Sequence, residues 1–112
     1  MDGMRVEKIF VDIGALEDIP MLGARSVKTS DGDIAVFRTA GEKIYALRDK
    51  CPHKGGPLSQ GIVHGASVTC PLHAWVISLQ TGEAIGLDSG CTPRFEVKAE
   101  IGRVLLAYGK PE

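Results

Sequence analysis

Two short segments, Cys51-Pro52-His53-Lys54-Gly55-Gly56-Pro57 and Cys70-Pro71-Leu72-His73-Ala74-Trp75, decide how this chain is organised. Each contains one cysteine and one histidine, and residues 54–69 separate the two pairs. Thiolate and imidazole groups are common ligands of transition metals in proteins. The spacing Cys-x-His followed by Cys-x2-His therefore predicts a site with four metal ligands, Cys51, His53, Cys70 and His73.

Two kinds of metal centre use two thiolates and two imidazoles: a tetrahedral zinc ion and an iron–sulfur cluster. Structural zinc sites commonly take both cysteines from one segment and both histidines from another. Here each segment is mixed, so that two facing loops can supply both cysteines to one iron and both histidines to the other. The mixed pattern favours a [2Fe-2S] cluster, with a zinc-stabilised interaction module as an alternative from a different class.

The ligand set determines how easily such a cluster is reduced. Two ferric ions, two sulfides and two thiolates cancel to zero net charge, whereas four thiolates would leave the oxidised cluster two units more negative. Histidine ligation accordingly raises the reduction potential to about −150 to +300 mV, from about −400 mV in plant-type ferredoxins. We expect the transfer of one electron at a time, and a solvent-facing imidazole nitrogen can couple reduction to protonation at high pH.

The residues beside the ligands are expected to shape the cluster pocket. Pro52 and Pro71 follow the two cysteines, where proline fixes φ and removes a backbone donor. Gly55 and Gly56 let the backbone come close, so that its N–H groups can donate to the sulfides. Packing under the cluster is the expected role of the tryptophan. The residues expected to contact the cofactor are Gly55, Gly56, Pro57, Leu72 and Trp75.

The composition indicates one globular domain. With 112 residues, 44% hydrophobic and 24% charged, the chain can bury roughly 65% of its unfolded surface but is too short for two independent cores. A net charge of −1 argues against a nucleic-acid-binding surface. The N-terminal sequence lacks the apolar region of a signal peptide, and no apolar stretch approaches the roughly 18 residues of a membrane span. We expect a cytoplasmic protein without membrane contact.

The cysteine count fits metal binding better than a disulfide framework. Cytoplasmic thiols stay reduced, so three cysteines are expected to be metal ligands or thiols. If Cys51 and Cys70 bind metal, Cys91 has no pairing cysteine, and we expect a buried or inert thiol there. His64 lies in a glycine-flanked turn and is expected to be solvated or hydrogen-bonded within that turn instead of binding metal.

The remaining sequence predicts short β-strands separated by turns. Runs of β-branched and aromatic residues alternate with glycine-containing turns, and no segment has a sustained helical period. Asp31-Gly32 between two such runs is a strong hairpin signal. We predict a first strand at 9–13 that Gly14 ends, and a connector at 15–19 that is long enough for one helical turn but too short for a stable helix without tertiary support. Further strands are predicted at 24–29, 33–39, 44–47, 62–63, 67–70, 74–79, 94–98 and 103–108, the last two pairing around Gly102.

On its two Cys-His segments and its all-β frame, the chain resembles the Rieske family of [2Fe-2S] proteins. The resemblance covers nearly the whole chain. It implies an all-β fold, in which a Rieske-type antiparallel β-sandwich carries an inserted cluster-binding subdomain. The expected organisation is a single domain at 1–112 with the subdomain at about 48–80. The resemblance also implies that the histidine-bound iron lies nearest the surface.

Positions beside the ligands indicate which branch of the Rieske family the chain resembles. Members in cytochrome complexes add a disulfide between the two loops, whereas the expected equivalent positions here hold Gly56 and Leu72. High-potential members place serine and tyrosine after the second histidine, whereas this chain has Ala74 and Trp75. The resemblance therefore implies a soluble, ferredoxin-like member of low to middling potential.

A longer pattern resembles the small subunit of the NAD(P)H-dependent assimilatory nitrite reductase. It consists of Lys54–Gly65, then Thr81-Gly82-Glu83-Ala84 and Gly90-Cys91, with Ala74 where that family has asparagine. The resemblance implies a large-subunit partner that holds flavin, an iron–sulfur cluster and sirohaem and reduces nitrite to ammonium.

The chain alone is not expected to reduce nitrite, because it has no nucleophile beside a base, no phosphate-binding glycine loop and no nicotinamide fingerprint. Its expected part in the reaction is electron transfer as an oxidoreductase subunit. The alternative is a freestanding Rieske ferredoxin of an aromatic-ring dioxygenase system, with another redox protein as its partner.

Overall fold

The computed structural model describes residues 10–30, 32–40, 43–51, 56–71, 74–85 and 90–107. Within these ranges the chain forms β-strands and two short 3-10 turns, at Leu16–Asp18 and Leu58–Gln60. The predicted all-β architecture is confirmed. In chain order the strands are β1 (Phe10–Ala15), β2 (Gly23–Thr29), β3 (Gly32–Arg38), β4 (Ile44–Arg48), β5 (Ile62–His64), β6 (Ser67–Thr69), β7 (Val76–Ser78), β8 (Arg94–Phe95), β9 (Val97–Glu100) and β10 (Arg103–Ala107).

The strands form three antiparallel sheets, with the orders β1-β10-β9, β2-β3-β4-β8 and β5-β6-β7. The second sheet begins with the predicted hairpin, in which Thr29 pairs with Gly32. Thr29 Oγ1 donates to the Gly32 carbonyl at 2.7 Å, and Gly32 adopts a φ of 97° that favours glycine. The hairpin prediction is confirmed, although Asp31 itself lies outside the described residues.

Strand β3 separates two parts of the core. Alternate residues of a strand point to opposite faces of its sheet, and Ile34, Ala35, Val36 and Phe37 are all buried. Ile34 and Val36 pack with Val104 and Leu106 of β10, whereas Ala35 and Phe37 pack toward the third sheet. The second sheet is therefore covered on both faces. The second core cluster comprises Ala35, Phe37, Leu47, Cys51, Leu58, Val63, Val68, Cys70, Ile77 and Leu79.

The first strand is longer than predicted. It continues through Gly14 to Ala15, and its register with β10 shifts between Asp12 and Gly14. Gly14 has a φ of 132° and donates its N–H to Asp12 Oδ1 at 2.9 Å. The glycine therefore accommodates a β-bulge and does not end the strand as predicted. The connector predicted at 15–19 contains one short helical turn, the 3-10 turn at Leu16–Asp18.

The segment predicted as one strand at 94–98 belongs to two sheets. Phe95 pairs with Ala46 of β4, whereas Val97 pairs with Leu106 of β10. Phe95 and Val97 nevertheless pack against the same core cluster. Alternation of apolar residues indicates which side chains are buried, but it does not indicate which strand is the partner. The prediction of a continuous strand was therefore wrong. No helix in the described ranges is both long enough and apolar enough to cross a membrane.

An exposed ion pair joins β1 to β10. Arg103 donates from Nη2 to Asp12 Oδ1 at 3.0 Å and from Nε to Oδ2 at 3.1 Å. The hydrogen bond from Arg103, followed by that from the Gly14 N–H, lowers the pKa of Asp12. Ionised Asp12 therefore stabilises the fold above its unfolded-state pKa, and this stabilisation is lost as the pH falls through the lower folded-state pKa.

We expect acidification from neutral pH to about pH 3 to destabilise the wild type more than an Asp12→Asn variant, which has no carboxylate to protonate. Urea unfolding of both proteins at the two pH values measures the difference. Because the pair is exposed, the effect is expected to shrink in high salt. An equal loss of stability in the two proteins at low salt would contradict the expectation.

Candidate metal centre

The fold brings the two cysteines of the motif into one apolar environment. Cys51 follows the end of β4, and Cys70 comes directly after β6. Their exposures are 3% and 1%, and both belong to the core cluster that includes Phe37 and Ile77. No disulfide joins any two of the three cysteines, all of which lie within the described ranges. A shared metal site requires this convergence of ligands from two loops.

An equivalent backbone hydrogen bond closes each of the two loops. The Cys51 N–H donates to the Gly56 carbonyl at 2.8 Å, and the Cys70 N–H donates to the Trp75 carbonyl at 2.7 Å. In each loop the bond runs from the cysteine to the fifth residue after it. Both loops are therefore closed in the same way, although their sequences and spacings differ.

The first loop ends in a tight turn. Gly56 is buried and Pro57 is exposed with a φ of −74°, and Leu58 then begins the 3-10 turn with no exposed surface. Leu58 packs in the same core cluster as Cys51 and Cys70. The end of the loop is thus anchored beside both cysteines.

The second loop connects the two strands of a hairpin. Thr69 pairs with Val76, so that β6 and β7 hold the ends of the loop together. Ala74 has a φ of 58°, in the left-handed region, and the strand predicted to begin there begins at Val76 instead. Trp75 is partly buried against the cluster that contains both cysteines, which is the packing position expected for it.

Four predicted site residues, His53, Gly55, Leu72 and His73, lie outside the described residues. Their roles as ligands or as neighbours of the cluster stay predictions.

Two residues near the loops were expected to have no part in metal binding. His64 is exposed, as expected, but it is the last residue of β5 and not part of the turn. Its ring Nε2 lies 2.7 Å from Thr69 Oγ1 on the neighbouring strand β6, so its hydrogen bond crosses the hairpin. Cys91 is exposed, and its backbone pairs with that of Glu83 in an isolated β-bridge. Of the two expectations for this thiol, burial was wrong, whereas inertness stays a prediction. A single cysteine in a glycine-rich segment gives no indication of burial, because the pairing with Glu83 depends on the fold.

The residues present fit a [2Fe-2S] cluster. Removing a thiolate from water is costly unless its charge is compensated, and a metal ion compensates it directly. Cys51 and Cys70 are buried together in apolar surroundings, where a shared cluster could bind both thiolates. The bulk of Trp75 and Leu58 beside them limits the access of water. The donor chemistry and the burial of the loops therefore agree.

One contact at the site was missed in the sequence. Asp49, two residues before Cys51, accepts two hydrogen bonds from Ser59, just after the first loop. The only sequence signal is an acidic residue close to one end of the loop and a hydroxyl close to the other. Such residues are also common in ordinary turns.

Several residues of the longer sequence pattern have structural explanations. A Cβ on Gly61 would lie 2.3 Å from the Thr69 carbonyl oxygen, and one on Gly82 would lie 2.3 Å from that of Thr92. The segments 81–84 and 90–91 lie side by side, because the backbones of Glu83 and Cys91 pair in an isolated antiparallel β-bridge. The identities of these glycines are therefore explained by close backbone packing and do not by themselves indicate a particular redox partner.

Several known proteins are similar to this chain over most of its length. Residues 10–96 match the Rieske [2Fe-2S] domain. The chain is 34% identical over 103 residues to the ferredoxin component of the naphthalene 1,2-dioxygenase/salicylate 5-hydroxylase systems of Ralstonia sp., covering 87% of this chain and 93% of that protein. It is 35% identical over 89 residues to 4beta-methylsterol monooxygenase of Methylococcus capsulatus, covering 70% of this chain but only 24% of that longer protein.

Solved structures with a similar fold include proteins from two redox systems. One chain of a complex of reduced oxygenase and oxidized ferredoxin in carbazole 1,9a-dioxygenase has a TM-score of 0.80 and 27% identity, covering 95% of this chain and 99% of that one. A Mycobacterium tuberculosis protein described as an NADH-dependent nitrite reductase small subunit has a TM-score of 0.82 and 21% identity, covering 94% and 99%. At that identity the second likeness shows the fold alone.

Proposed function

The chain belongs to the Rieske [2Fe-2S] family, its cofactor is a [2Fe-2S] cluster, and we propose that Cys51 and Cys70 bind one iron while His53 and His73 bind the other. When bound, the cluster supplies one-electron transfer. We also propose that residues around the ligands line the cofactor site. These are Gly55, Gly56, Pro57, Leu72 and Trp75.

The protein contributes to this chemistry by burying Cys51 and Cys70 and by fixing their backbones with hydrogen bonds. Burial of Cys51 and Cys70 excludes water from the thiolates, and the apolar surroundings lower the local dielectric. The hydrogen bonds to the Gly56 and Trp75 carbonyls hold each cysteine's backbone in a closed loop. The two cysteines would therefore be held in place during electron transfer, which limits the reorganisation that transfer requires.

The partner we propose first is the oxygenase of an aromatic-ring-hydroxylating system, to which this chain would deliver electrons as a ferredoxin. One observation carries the proposal. The match to the Ralstonia ferredoxin component extends over 87% of this chain and 93% of that protein, so the two correspond over nearly their whole lengths. The 27% identical chain from the carbazole dioxygenase complex, matched over 99% of its length, also supports it.

The second candidate partner is the large subunit of NAD(P)H nitrite reductase, which holds flavin, an iron–sulfur cluster and sirohaem. Its support is the resemblance of Lys54–Gly65 and of the segments at 81–84 and 90–91 to the small subunit. Gly61 and Gly82 within that pattern also serve backbone packing, so this support is weaker than the nearly full-length match to a ferredoxin component. We therefore place the nitrite reductase role second.

An electron-transfer assay separates the two partners. The protein is reduced anaerobically and mixed with either a Rieske-type ring-hydroxylating oxygenase or a sirohaem nitrite reductase large subunit. We expect rapid reoxidation by the oxygenase and slow reoxidation by the reductase. Preferential reoxidation by the reductase, with faster nitrite turnover when this chain is added, would reverse the order of the two proposals.

We propose that the oxygenase contacts a mainly apolar row of side chains next to the second ligand loop. This apolar row consists of Ile62, Thr69, Val76 and Ile85. Ile62 pairs with Thr69, Thr69 pairs with Val76, and the Ile85 N–H donates to the Val76 carbonyl at 2.8 Å. Residues opposite each other in a sheet share a face, and here the neighbouring residues Val63, Val68 and Ile77 are the buried ones. The row is therefore on the outer face, where Ile62 and Ile85 are 70% and 47% exposed.

The position of this apolar row favours a redox partner as its occupant. Thr69 directly precedes Cys70, and Val76 directly follows Trp75, so a protein seated on the row also reaches the second ligand loop. Exposed apolar side chains form the centre of many protein interfaces, where they are surrounded by polar residues. A partner that accepts an electron must approach the cluster closely, and this surface includes the residues on either side of the second loop, Thr69 and Val76.

We expect Ile62→Lys to slow electron transfer to the oxygenase by about five- to tenfold, since an interface residue at the centre of a contact is worth more than about 1 kcal/mol. Stopped-flow reoxidation at several oxygenase concentrations measures the effect. The matched control is Ile101→Lys, which alters a fully exposed isoleucine in the β9–β10 turn of the first sheet. Equal rates for the wild type and Ile62→Lys would exclude this contact.

We further propose that residues 1–112 form a single domain with a cluster-binding subdomain at about 48–80. The third sheet, β5-β6-β7, lies wholly within those residues and supports this division. A cytoplasmic location remains part of the proposal.

A further inference from the structure

The two ligand loops share a closing backbone hydrogen bond from their cysteine N–H, but the segments that flank this bond are held together differently. The second loop connects β6 and β7, whose backbone pairing at Thr69 and Val76 holds its ends together. The first loop lies between β4 and β5, which belong to different sheets. No strand pairing in the described part of the chain can therefore hold the ends of the first loop. Apart from the bond between the Cys51 N–H and the Gly56 carbonyl, a contact other than strand pairing has to hold the segments on either side of this loop.

The side chains of Asp49 and Ser59 supply that contact. Asp49 Oδ1 accepts a hydrogen bond from the Ser59 N–H at 2.7 Å, and Asp49 Oδ2 accepts one from Ser59 Oγ at 2.7 Å. Both donors belong to one residue, so the carboxylate is held at both oxygens. Both residues are partly buried, and hydrogen bonds to a charged acceptor are stronger than those between neutral groups.

The contact also connects the loop to the rest of the fold. The Asp49 N–H donates to the Asp33 carbonyl at 2.9 Å, at the start of β3. Ser59 lies in the 3-10 turn directly after Leu58, which is fully buried in the cluster that contains Cys51 and Cys70. Asp49 thus links the second sheet, through its backbone, to the turn beside both cysteines, through its side chain.

We propose that Asp49 is a positioning residue for the metal centre: by binding Ser59 it closes the first loop and fixes Cys51 relative to Cys70. The Asp49–Ser59 pair does for the first loop what strand pairing does for the second. This inference rests on the proposed ligand role of Cys51 and adds two residues that do not touch the cofactor. Its consequence is that the pair controls how firmly the cluster is held and how uniform its environment is.

The test compares variants of the full chain carrying its cluster. Asp49→Ala removes both acceptors and is expected to accelerate cluster release, followed by loss of visible absorbance in the presence of an iron chelator, by about tenfold or more. Ser59→Ala removes only the hydroxyl bond and keeps the charge, and is expected to accelerate release by about two- to fivefold. Ser59→Thr retains a hydroxyl donor and is expected to restore wild-type release.

Two further readouts distinguish positioning from general stability. The EPR spectrum of the reduced cluster is expected to broaden in both Asp49→Ala and Ser59→Ala. If only the charge of Asp49 mattered, the spectrum would broaden in Asp49→Ala but not in Ser59→Ala, because Ser59→Ala keeps the carboxylate. Hydrogen exchange of the Ser59 N–H is expected to be faster in Asp49→Ala. The matched control is Asp33→Ala, which removes an exposed carboxylate that pairs with Lys28 and leaves the Asp33 carbonyl available to Asp49.

Release rates and EPR spectra of Asp49→Ala and Ser59→Ala that match the wild type would overturn the inference. So would acceleration of the same size in Asp33→Ala. Failure of the proposed function gives a different result, because a wild-type protein that binds no [2Fe-2S] cluster fails before any variant is compared. If Asp49→Ala does not fold, Ser59→Ala and Ser59→Thr alone decide, since acceleration by the first and rescue by the second are both required.

Discussion

Replacing Cys70 with serine is expected to abolish the cluster and, with it, all electron transfer. Cys70 is 1% exposed and shares its apolar environment with Cys51, so no other thiol can take its place without a large movement. A serine hydroxyl is a much weaker ligand for iron in this setting than a thiolate. Iron and sulfide content after anaerobic reconstitution, together with visible absorbance, measures the result. Cys51→Ser is expected to behave in the same way.

Cys91→Ser is the matched control for these cysteine variants. Cys91 is exposed, and its contact with Glu83 is a backbone β-bridge, which a serine can also form. Its replacement is therefore expected to leave iron content and electron transfer unchanged. Circular dichroism of each variant shows whether the β-fold has formed. A Cys70→Ser protein with the wild-type iron content and EPR spectrum, or a Cys91→Ser protein without its cluster, would contradict the assignment of the ligands.

Replacing Gly61 with alanine is expected to cost about 2–4 kcal/mol of folding stability. The new Cβ would lie 2.3 Å from the Thr69 carbonyl oxygen and 2.9 Å from Val68 Cγ2. The Thr69 backbone cannot easily move, because its strand is paired on both sides, with β5 and β7. Gly61 itself has a φ of −83°, which alanine tolerates, so the expected cost comes from steric overlap alone.

Gly65→Ala separates steric overlap from backbone strain. Gly65 has a φ of 57°, and nothing lies within 4 Å of the position of a new Cβ. The expected cost is only the left-handed conformation of alanine, about 1–2 kcal/mol. Urea unfolding of the two variants and the wild type, all in the same cluster-loaded or cluster-free state, measures the difference. A Gly61→Ala variant as stable as Gly65→Ala, or more stable, would show that the backbone near Thr69 moves readily to accommodate the new side chain.

The sequence predicted features that depend on local chemistry. The Asp31-Gly32 turn was identified because few residue pairs suit a tight hairpin, and the strands on either side of it form as predicted. Cys51 and Cys70 were identified by their spacing, and both are buried in one cluster. The packing of Trp75 beside them follows the same logic, since a large apolar side chain next to a buried ligand has few other places to go.

Features that depend on distant parts of the chain were not predictable in this way. The division of residues 94–98 between two sheets depends on which strands lie beside Phe95 and Val97. The bulge at Gly14 depends on the partner strand β10. The link between Asp49 and Ser59 depends on a loop that brings residues ten positions apart into contact. In each case the local sequence suits several arrangements, and the tertiary fold selects one of them.

The resemblance to the nitrite reductase small subunit illustrates the same limit for function. Gly61 and Gly82 contribute to the pattern, and at both positions a side chain would collide with a backbone carbonyl. Residues required by a fold are shared by family members with different partners. The match to the family shows that the chain is a Rieske protein. Whether its partner is an oxygenase or a nitrite reductase is determined by the surface around the loops, and the electron-transfer assay distinguishes the two.

We propose that the two loops hold a [2Fe-2S] cluster with two cysteine and two histidine ligands. Pulsed EPR of the anaerobically prepared, dithionite-reduced protein, with metal and sulfide analysis of the same sample, tests it most directly. We predict two iron and two sulfide ions per chain and an EPR signal coupled to two imidazole nitrogens. A colourless protein with one zinc ion per chain, or a cluster signal without nitrogen coupling, would contradict the claim.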